Sequence, residues 1–283
     1  MNSIRTKDSF KRCLRFWMPP ALFHLKTVLT SSGISFNGDY CAWNEALAAS
    51  SGYDSAGILK KVEMAAQAVA SGEAAFERDS ALFNEIHYSW PVLAGLLKAA
   101  ADFGGALRVL DFGGALGSSY YQNRKFLEQL KEVKWCIVEQ ENFVKCGKRA
   151  FETDVLKFFH CIEDAAKTCN FNVVLLSSVL PYLERPYDML AQVLELGAGT
   201  VIIDRTPVLP GSADRLTVQK IPAAIYQASY PAWFLGEKKL LETLNKDYSI
   251  FFEFESLNNE IKLLSPRAVS KNKGFILKRK NHD

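Results

Sequence analysis

Short apolar runs alternate with amphipathic stretches from position 107 to the end of the chain. Apolar runs of four to eight residues bounded by turn residues read as buried strands, whereas apolar positions three and four apart read as helices. Strands are predicted on this basis at 107–111, 134–139, 155–159, 172–177, 199–204, 248–255 and 274–279. Helices are predicted at 119–131, 140–150, 162–168, 186–196 and 236–246. Regular alternation of the two predicts an α/β fold, a doubly wound seven-stranded and mostly parallel sheet with helices on both faces. No helical pattern separates the last two strands, so the final strand is expected to be antiparallel.

Upstream the pattern is helical. Ile58, Leu59, Val62, Ala65, Ala66 and Val69 share one face, with Tyr53, Asp54 and Ser55 as a start and Ser71-Gly72 as a stop. Leu93, Leu96 and Leu97 line a second helix closed by Gly104-Gly105. Between the two, Glu77, Arg78, Asp79 and Ser80 read as a solvated turn. At the start of the chain, Phe10, Leu14, Phe16, Trp17 and Met18 mix with basic residues before Pro19-Pro20 stop any helix. Three regions follow: a basic N-terminal arm over 1–40, a helical cap over 41–105 and the α/β domain over 106–283. Residues 205–235, aromatic and non-periodic, read as a long loop of the lid or binding kind.

Composition narrows the classes of function. With 283 residues, 48% hydrophobic and 23% charged, the chain can bury a large core. No apolar run has the length of a spanning helix and no signal-peptide pattern is visible, so a cytoplasmic location is expected. The net charge of +3 is concentrated in the arm, where Arg5, Lys7, Lys11, Arg12, Arg15 and Lys26 accompany a single acid, Asp8. The rest is near neutral, and no nucleic-acid partner is expected. The arm has two readings: a peripheral membrane contact at the inner face, or a segment packed on the domain. Six cysteines without a C-x-x-C pair, with four histidines, predict no metal site and structural thiols.

Chemistry concentrates at the first strand of the α/β domain. Residues 107–119 read L-R-V-L-D-F-G-G-A-L-G-S-S, so the strand ends at Asp111 and breaks into a turn bearing Gly113, Gly114 and Gly117. Glycine permits positive φ and close approach of the backbone to a ligand. Glu139 ends the second strand at the same sheet edge, where an acid can accept from the hydroxyls of a ribose. A dinucleotide turn reads G-x-G-x-x-G, whereas this one reads G-G-x-x-G behind a carboxylate that would repel a pyrophosphate. S-adenosylmethionine, with a sulfonium, an ammonium and a ribose but no phosphate, suits that sign of charge. Asp204 and Arg205 leave the fifth strand as a base or orienting acid and an anion grip, or as a structural ion pair. Tyr182, Tyr226, Tyr230 and Trp233 offer aromatic faces to an acceptor, or pack a flap. His87, in the cap, either reaches the same cleft or is structural. The sequence contains no N-P-P-Y, D-P-P-Y or Pro-Cys pair.

Longer phrases carry a resemblance. These are L-D-F-G-G-A-L-G-S-S-Y-Y-Q-N-R (110–124), W-C-I-V-E-Q (135–140), S-S-V-L-P-Y-L (177–183), I-D-R-T-P (203–207) and Y-P-A-W-F (230–234). The chain resembles class I S-adenosylmethionine-dependent methyltransferases, and within them a family associated with bacterial surface-polysaccharide gene clusters, over residues 40–255. The resemblance implies a Rossmann-like methyltransferase fold, S-adenosyl-L-methionine as cofactor, and a small-molecule or saccharide acceptor methylated on oxygen or nitrogen. It also implies a role in surface glycan biosynthesis. It places Phe112, Gly113, Gly114 and Gly117 under the methionine portion, Asp111 at its amino group, and Glu139 with Gln140 at the ribose. Ser177 and Ser178 would flank the sulfonium and the acceptor. The third strand ends in Phe158-Phe159-His160, where many relatives carry a polar residue for the adenine; Phe159 is read as core or as a stacking ring. Two other functions stay open, a non-catalytic cofactor-binding or scaffold subunit of a glycan assembly complex and an NAD-dependent oxidoreductase.

Overall fold

The computed structural model describes residues 33–51, 55–78, 81–222, 228–257 and 262–280. The N-terminal part contains β1 (Ser35–Tyr40), α1 (Trp43–Ala48), α2 (Ser55–Ser71), the hairpin β2 (Phe76–Arg78) and β3 (Ala81–Phe83), and α3 (Trp90–Asp102). The alternating series follows: β4 (Ala106–Phe112), α4 (Ser118–Leu127), β5 (Glu132–Val138), α5 (Glu141–Ala150), β6 (Leu156–Phe159), α6 (Ile162–Thr168) and β7 (Val173–Ser177). After a 3-10 turn at Leu180–Tyr182 come α7 (Pro186–Glu195), β8 (Thr200–Leu209), β9 (Arg215–Ile221) and β10 (Ala228–Gly236). The chain closes with α8 (Glu237–Leu244), β11 (Tyr248–Glu255), β12 (Lys262–Ser265) and β13 (Ala268–Arg279).

Seven strands lie in the order β6–β5–β4–β7–β8–β13–β11. Every pairing from β6 to β8 is parallel, and β13 runs antiparallel to both of its neighbours. This is the doubly wound sheet with an antiparallel last strand that the sequence predicts. Its two faces explain the continuously apolar runs, since strands covered on both sides have no polar face to alternate with. Val109, Trp135, Ile137, Leu175 and Ile202 pack on one face against residues of α2, α3, α4 and α5. Leu110, Cys136, Val138, Val174 and Ile203 pack on the other against α6, α7 and α8. The winding reverses between β4 and β7, which are adjacent in the sheet. The crevice outside the carboxyl ends of two such strands is where sheets of this kind take a ligand.

The region after β8 corrects the sequence reading. The described part of 205–235 is not one loop: β8 runs on to Leu209, and β9 and β10 form a seven-pair antiparallel ladder. Pairings β8–β10, β10–β9, β9–β1, β1–β12, β12–β13 and β13–β8 close a ring of six strands. This small barrel is fused to the sheet through β8 and β13, and Phe36, Ala232, Phe234, Leu209 and Ala268 fill one end of it. Phe36 and Phe234 meet edge to face at 5.0 Å. Pro231 is accommodated because β10 has only the β9 partner there, its pairing to β8 beginning at Leu235.

Three further corrections concern the N-terminal regions. Ser35–Tyr40 pairs with β9 and β12, so the end of the expected arm is part of the barrel wall. Residues 1–32 lie outside the described residues. The cap is not wholly helical, because it carries the β2–β3 hairpin. Glu77, expected in a solvated turn, is 4% exposed. Among the described residues no helix is long and apolar enough to cross a membrane.

Candidate functional site

The glycine turn lies at the switch point. Gly113 and Gly117 have φ of +73° and +102°, in the left-handed region that favours glycine. The Gly113 N–H donates to the Val138 carbonyl at 2.9 Å, tying the turn to β5. A Cβ on Gly113 would stand 2.5 Å from Cγ2 of Val179, so the turns after β4 and β7 touch. Phe112, at the end of β4, packs into the apolar layer beneath.

Asp111 is 1% exposed, and the Trp135 indole Nε1–H donates to its Oδ2 at 2.9 Å. Its carboxylate fills the space that a Cβ on Gly114 would need. Burial pushes its pKa up to about 7; the Trp135 bond opposes that rise, the nearby Glu139 charge adds to it, and Arg205 opposes it. Glu139 is half-buried and accepts from the Gln140 N–H at 2.8 Å and from the Ala115 N–H. Burial raises its carboxyl above the usual range, against those two bonds. Gln140 itself is exposed at the start of α5.

A second group stands at the end of β7 and at a bulge midway along β8. Ile203 pairs with Phe275 and Thr206 with Lys273, so Asp204 and Arg205 bulge opposite Gly274 alone. Ser177 donates to Asp204 Oδ2 at 3.3 Å, and Arg205 Nε donates to Ser177 Oγ at 3.4 Å. Arg205 Nε is 4.0 Å from Asp204 Oδ2, and Ser178 N–H donates to the Asp204 carbonyl at 3.0 Å. The Arg205 N–H is held by Ser256 Oγ at 2.9 Å. Asp204 is 4% exposed, and its Oδ1 has no hydrogen-bond partner among the described residues.

Three non-glycine residues among those described adopt left-handed φ: Ala115 (+50°), Ser178 (+59°) and Arg205 (+52°). Ala115 and Ser178 follow β4 and β7, and Arg205 sits at the bulge within β8; these three strands are consecutive in the sheet. Strain of this kind persists where the surroundings impose it, and it gathers at functional sites. The structure thus brings Asp111, Phe112, Gly113, Gly114, Gly117, Glu139, Ser177, Ser178, Asp204 and Arg205 to one edge.

The remaining expected residues separate. Tyr182 OH donates to Gln219 Oε1 at 3.1 Å, and its ring meets Tyr230 edge to face at 5.5 Å. Trp233 is half-buried beside Leu216 and Val218, with Nε1 unpartnered. His87 is exposed on the α4 side, its ring 5.3 Å from Phe83 and its carbonyl accepting from Gln122. Tyr226 lies outside the described residues. Phe159 is half-buried and packs on the apolar layer that includes Cys136 and Val138. Sequence reading missed Gln219, Ser256 and Glu77. Glu77 accepts a hydrogen bond from Ser118 Oγ, the first residue of α4 after the glycine turn. Gln219 lies in β9, Glu77 in the three-residue β2 and Ser256 just past β11, and no motif marks any of the three.

No family model matches the chain, and no curated protein matches it. Solved structures do. The N-terminal domain of EvdMO1, crystallised in the presence of SAH and D-fucose, is 14% identical, with a TM-score of 0.47 over 81% of this chain and 98% of that one. A 1,6-didemethyltoxoflavin-N1-methyltransferase from Burkholderia thailandensis is 13% identical, with a TM-score of 0.42 over 89% of this chain and 98% of that one. Magnesium protoporphyrin IX methyltransferase from Synechocystis PCC 6803, with bound SAM, is 15% identical, with a TM-score of 0.42 over 68% of this chain and 79% of that one.

Proposed function

We propose that this chain is an S-adenosyl-L-methionine-dependent methyltransferase acting on an oxygen or nitrogen of a small-molecule or saccharide acceptor. The observation that carries the reading is the row of three strained residues across adjacent strands, Ala115 and Ser178 just past β4 and β7 and Arg205 at the bulge of β8. Three carboxylates, Asp111, Glu139 and Asp204, sit beside that row. Like charges crowded at one edge are relieved by a cation and aggravated by a pyrophosphate, which favours a sulfonium nucleoside over NAD.

When bound, the cofactor supplies a methyl group made electrophilic by the sulfonium. The work of the chain is positioning, since near-attack alignment supplies much of the barrier reduction in such a displacement. Glu139, already at the backbone of the turn, would accept from the ribose hydroxyls, with Gln140 beside it. Gly113, Gly114 and Gly117 would let the methionine portion lie against the backbone. Asp111 acts from behind the turn, fixing Gly114. Ser177 and Ser178 would flank the reacting centre. Asp204, with one free oxygen, would orient the acceptor or take its proton, and Arg205 and Tyr182 would hold the acceptor beside it.

The same reading covers a cytoplasmic site of action, membrane contact through the basic arm and a part in surface glycan assembly. These rest on composition and on the resemblance. The test is transfer of a labelled methyl group from S-adenosylmethionine into fractionated small molecules and saccharides. Label in a discrete product, lost in Asp204→Asn, supports the reading; protein that binds the cofactor and labels nothing supports a scaffold role instead.

A further inference from the structure

The end of the six-stranded barrel that meets the sheet edge differs from its apolar end. Register sets which residues face inward. Gln219 pairs with Phe36 on β1 and with Tyr230 on β10, Thr217 pairs with Ala232, and Arg215 with Phe234. Phe36, Ala232 and Phe234 belong to the barrel core, so these partners share the inward side. Going up β9 from Arg215 to Gln219, the inward positions therefore change from an aromatic floor to an amide beside a phenol. Tyr182 lies across that upper end, bonded to Gln219 and packed on Tyr230.

One buried oxygen near this end has no partner among the described residues. Asp204 Oδ1 lies where β8 passes from the sheet into the barrel wall. Buried polar atoms are met by protein, water or ligand, and an oxygen left open beside a strained bulge points to the last two. Barrel mouths are also recurrent small-molecule sites.

We propose that this barrel end is the acceptor subsite and that it takes a neutral, hydroxylated ring of pyranose size. Aromatic faces at Tyr182 and Tyr230 suit the apolar side of such a ring. The Gln219 amide and the Asp204 carboxylate suit its hydroxyls, and a carboxylate at the rim disfavours an anionic acceptor. The binding step stands apart from the cofactor, while the role as acceptor rests on the methyl-transfer reading.

The test is saturation-transfer NMR on the full chain with D-glucose, D-galactose, D-fucose and N-acetyl-D-glucosamine, each with and without S-adenosylhomocysteine. At least one sugar is expected to receive saturation from the parent protein. Gln219→Leu and Tyr182→Phe should each reduce that signal about fivefold, with affinity for S-adenosylhomocysteine unchanged. The second variant removes one oxygen only and so controls for misfolding. No signal with any of the four sugars overturns the ligand class, and full signal in both variants overturns the placement. Failure of the parent to bind S-adenosylhomocysteine would sink the cofactor reading and leave the sugar result standing.

Discussion

The Trp135 indole N–H donates at 2.9 Å to Asp111 Oδ2, and both side chains are buried beneath the glycine turn. One bond from an uncharged donor does not replace the hydration of a carboxylate, so the folded protein keeps Asp111 protonated far above the usual range, to about 7. The unfolded chain releases that proton near 3.8, and between the two values the folded state binds more protons. Stability therefore falls as pH climbs from about 4 to about 7.

Asp111→Asn keeps an oxygen for Trp135 and has no charge to bury. Urea denaturation should find it more stable than the parent by about 2 kcal/mol at pH 8, with the difference shrinking toward pH 4. Equal stabilities at pH 8 would contradict the buried-charge account.

Gly113→Ala places a Cβ 2.5 Å from Val179 Cγ2 at a φ of +73°. Steric conflict and left-handed strain together should destabilise by about 2–4 kcal/mol. Val179→Ala in the same chain should recover part of the loss in thermal unfolding, and no recovery would place the conflict elsewhere.

Ala115 and Arg205 hold left-handed φ without being glycine. Ala115→Gly should raise stability by about 0.5–1 kcal/mol. Arg205→Gly should also gain stability but reduce methyl transfer, because it removes the guanidinium along with the strain. Urea midpoints read beside turnover separate the two effects.

Glu77 ties the β2–β3 hairpin to Ser118, at the exit of the glycine turn. In Glu77→Ala the amides of 113–118 should exchange hydrogen about tenfold faster. Glu77→Gln, which keeps an acceptor oxygen, should stay close to the parent. Unchanged exchange in the alanine variant would make the contact incidental.

The sheet was legible because its strands are buried on both faces and therefore uninterrupted in apolar character. The predicted strand at 248–255 coincides with β11, and that at 107–111 lies inside β4. The barrel was not legible. Thr217 and Gln219 point inward and are satisfied individually, Thr217 by the Ala232 carbonyl and Gln219 by Tyr182, so the inward face of β9 shows no apolar stripe, and only Leu216 and Val218 on its other face alternate. Pro231 argues against a strand unless its one-sided pairing is known. At the site, Asp111 was found because it precedes the glycine turn at a strand end, and Glu139 because it ends the neighbouring strand at the same edge. Glu77 was hidden in a charged tetrad whose burial depends on the distant Ser118.

Isothermal titration of S-adenosylhomocysteine into the parent and into Glu139→Ala tests the central claim most directly. Saturable one-to-one binding to the parent is expected, weakened in the variant by about 1.5–3 kcal/mol as charged hydrogen bonds to the ribose are lost. No binding to the parent, or equal affinity in both proteins, would contradict it.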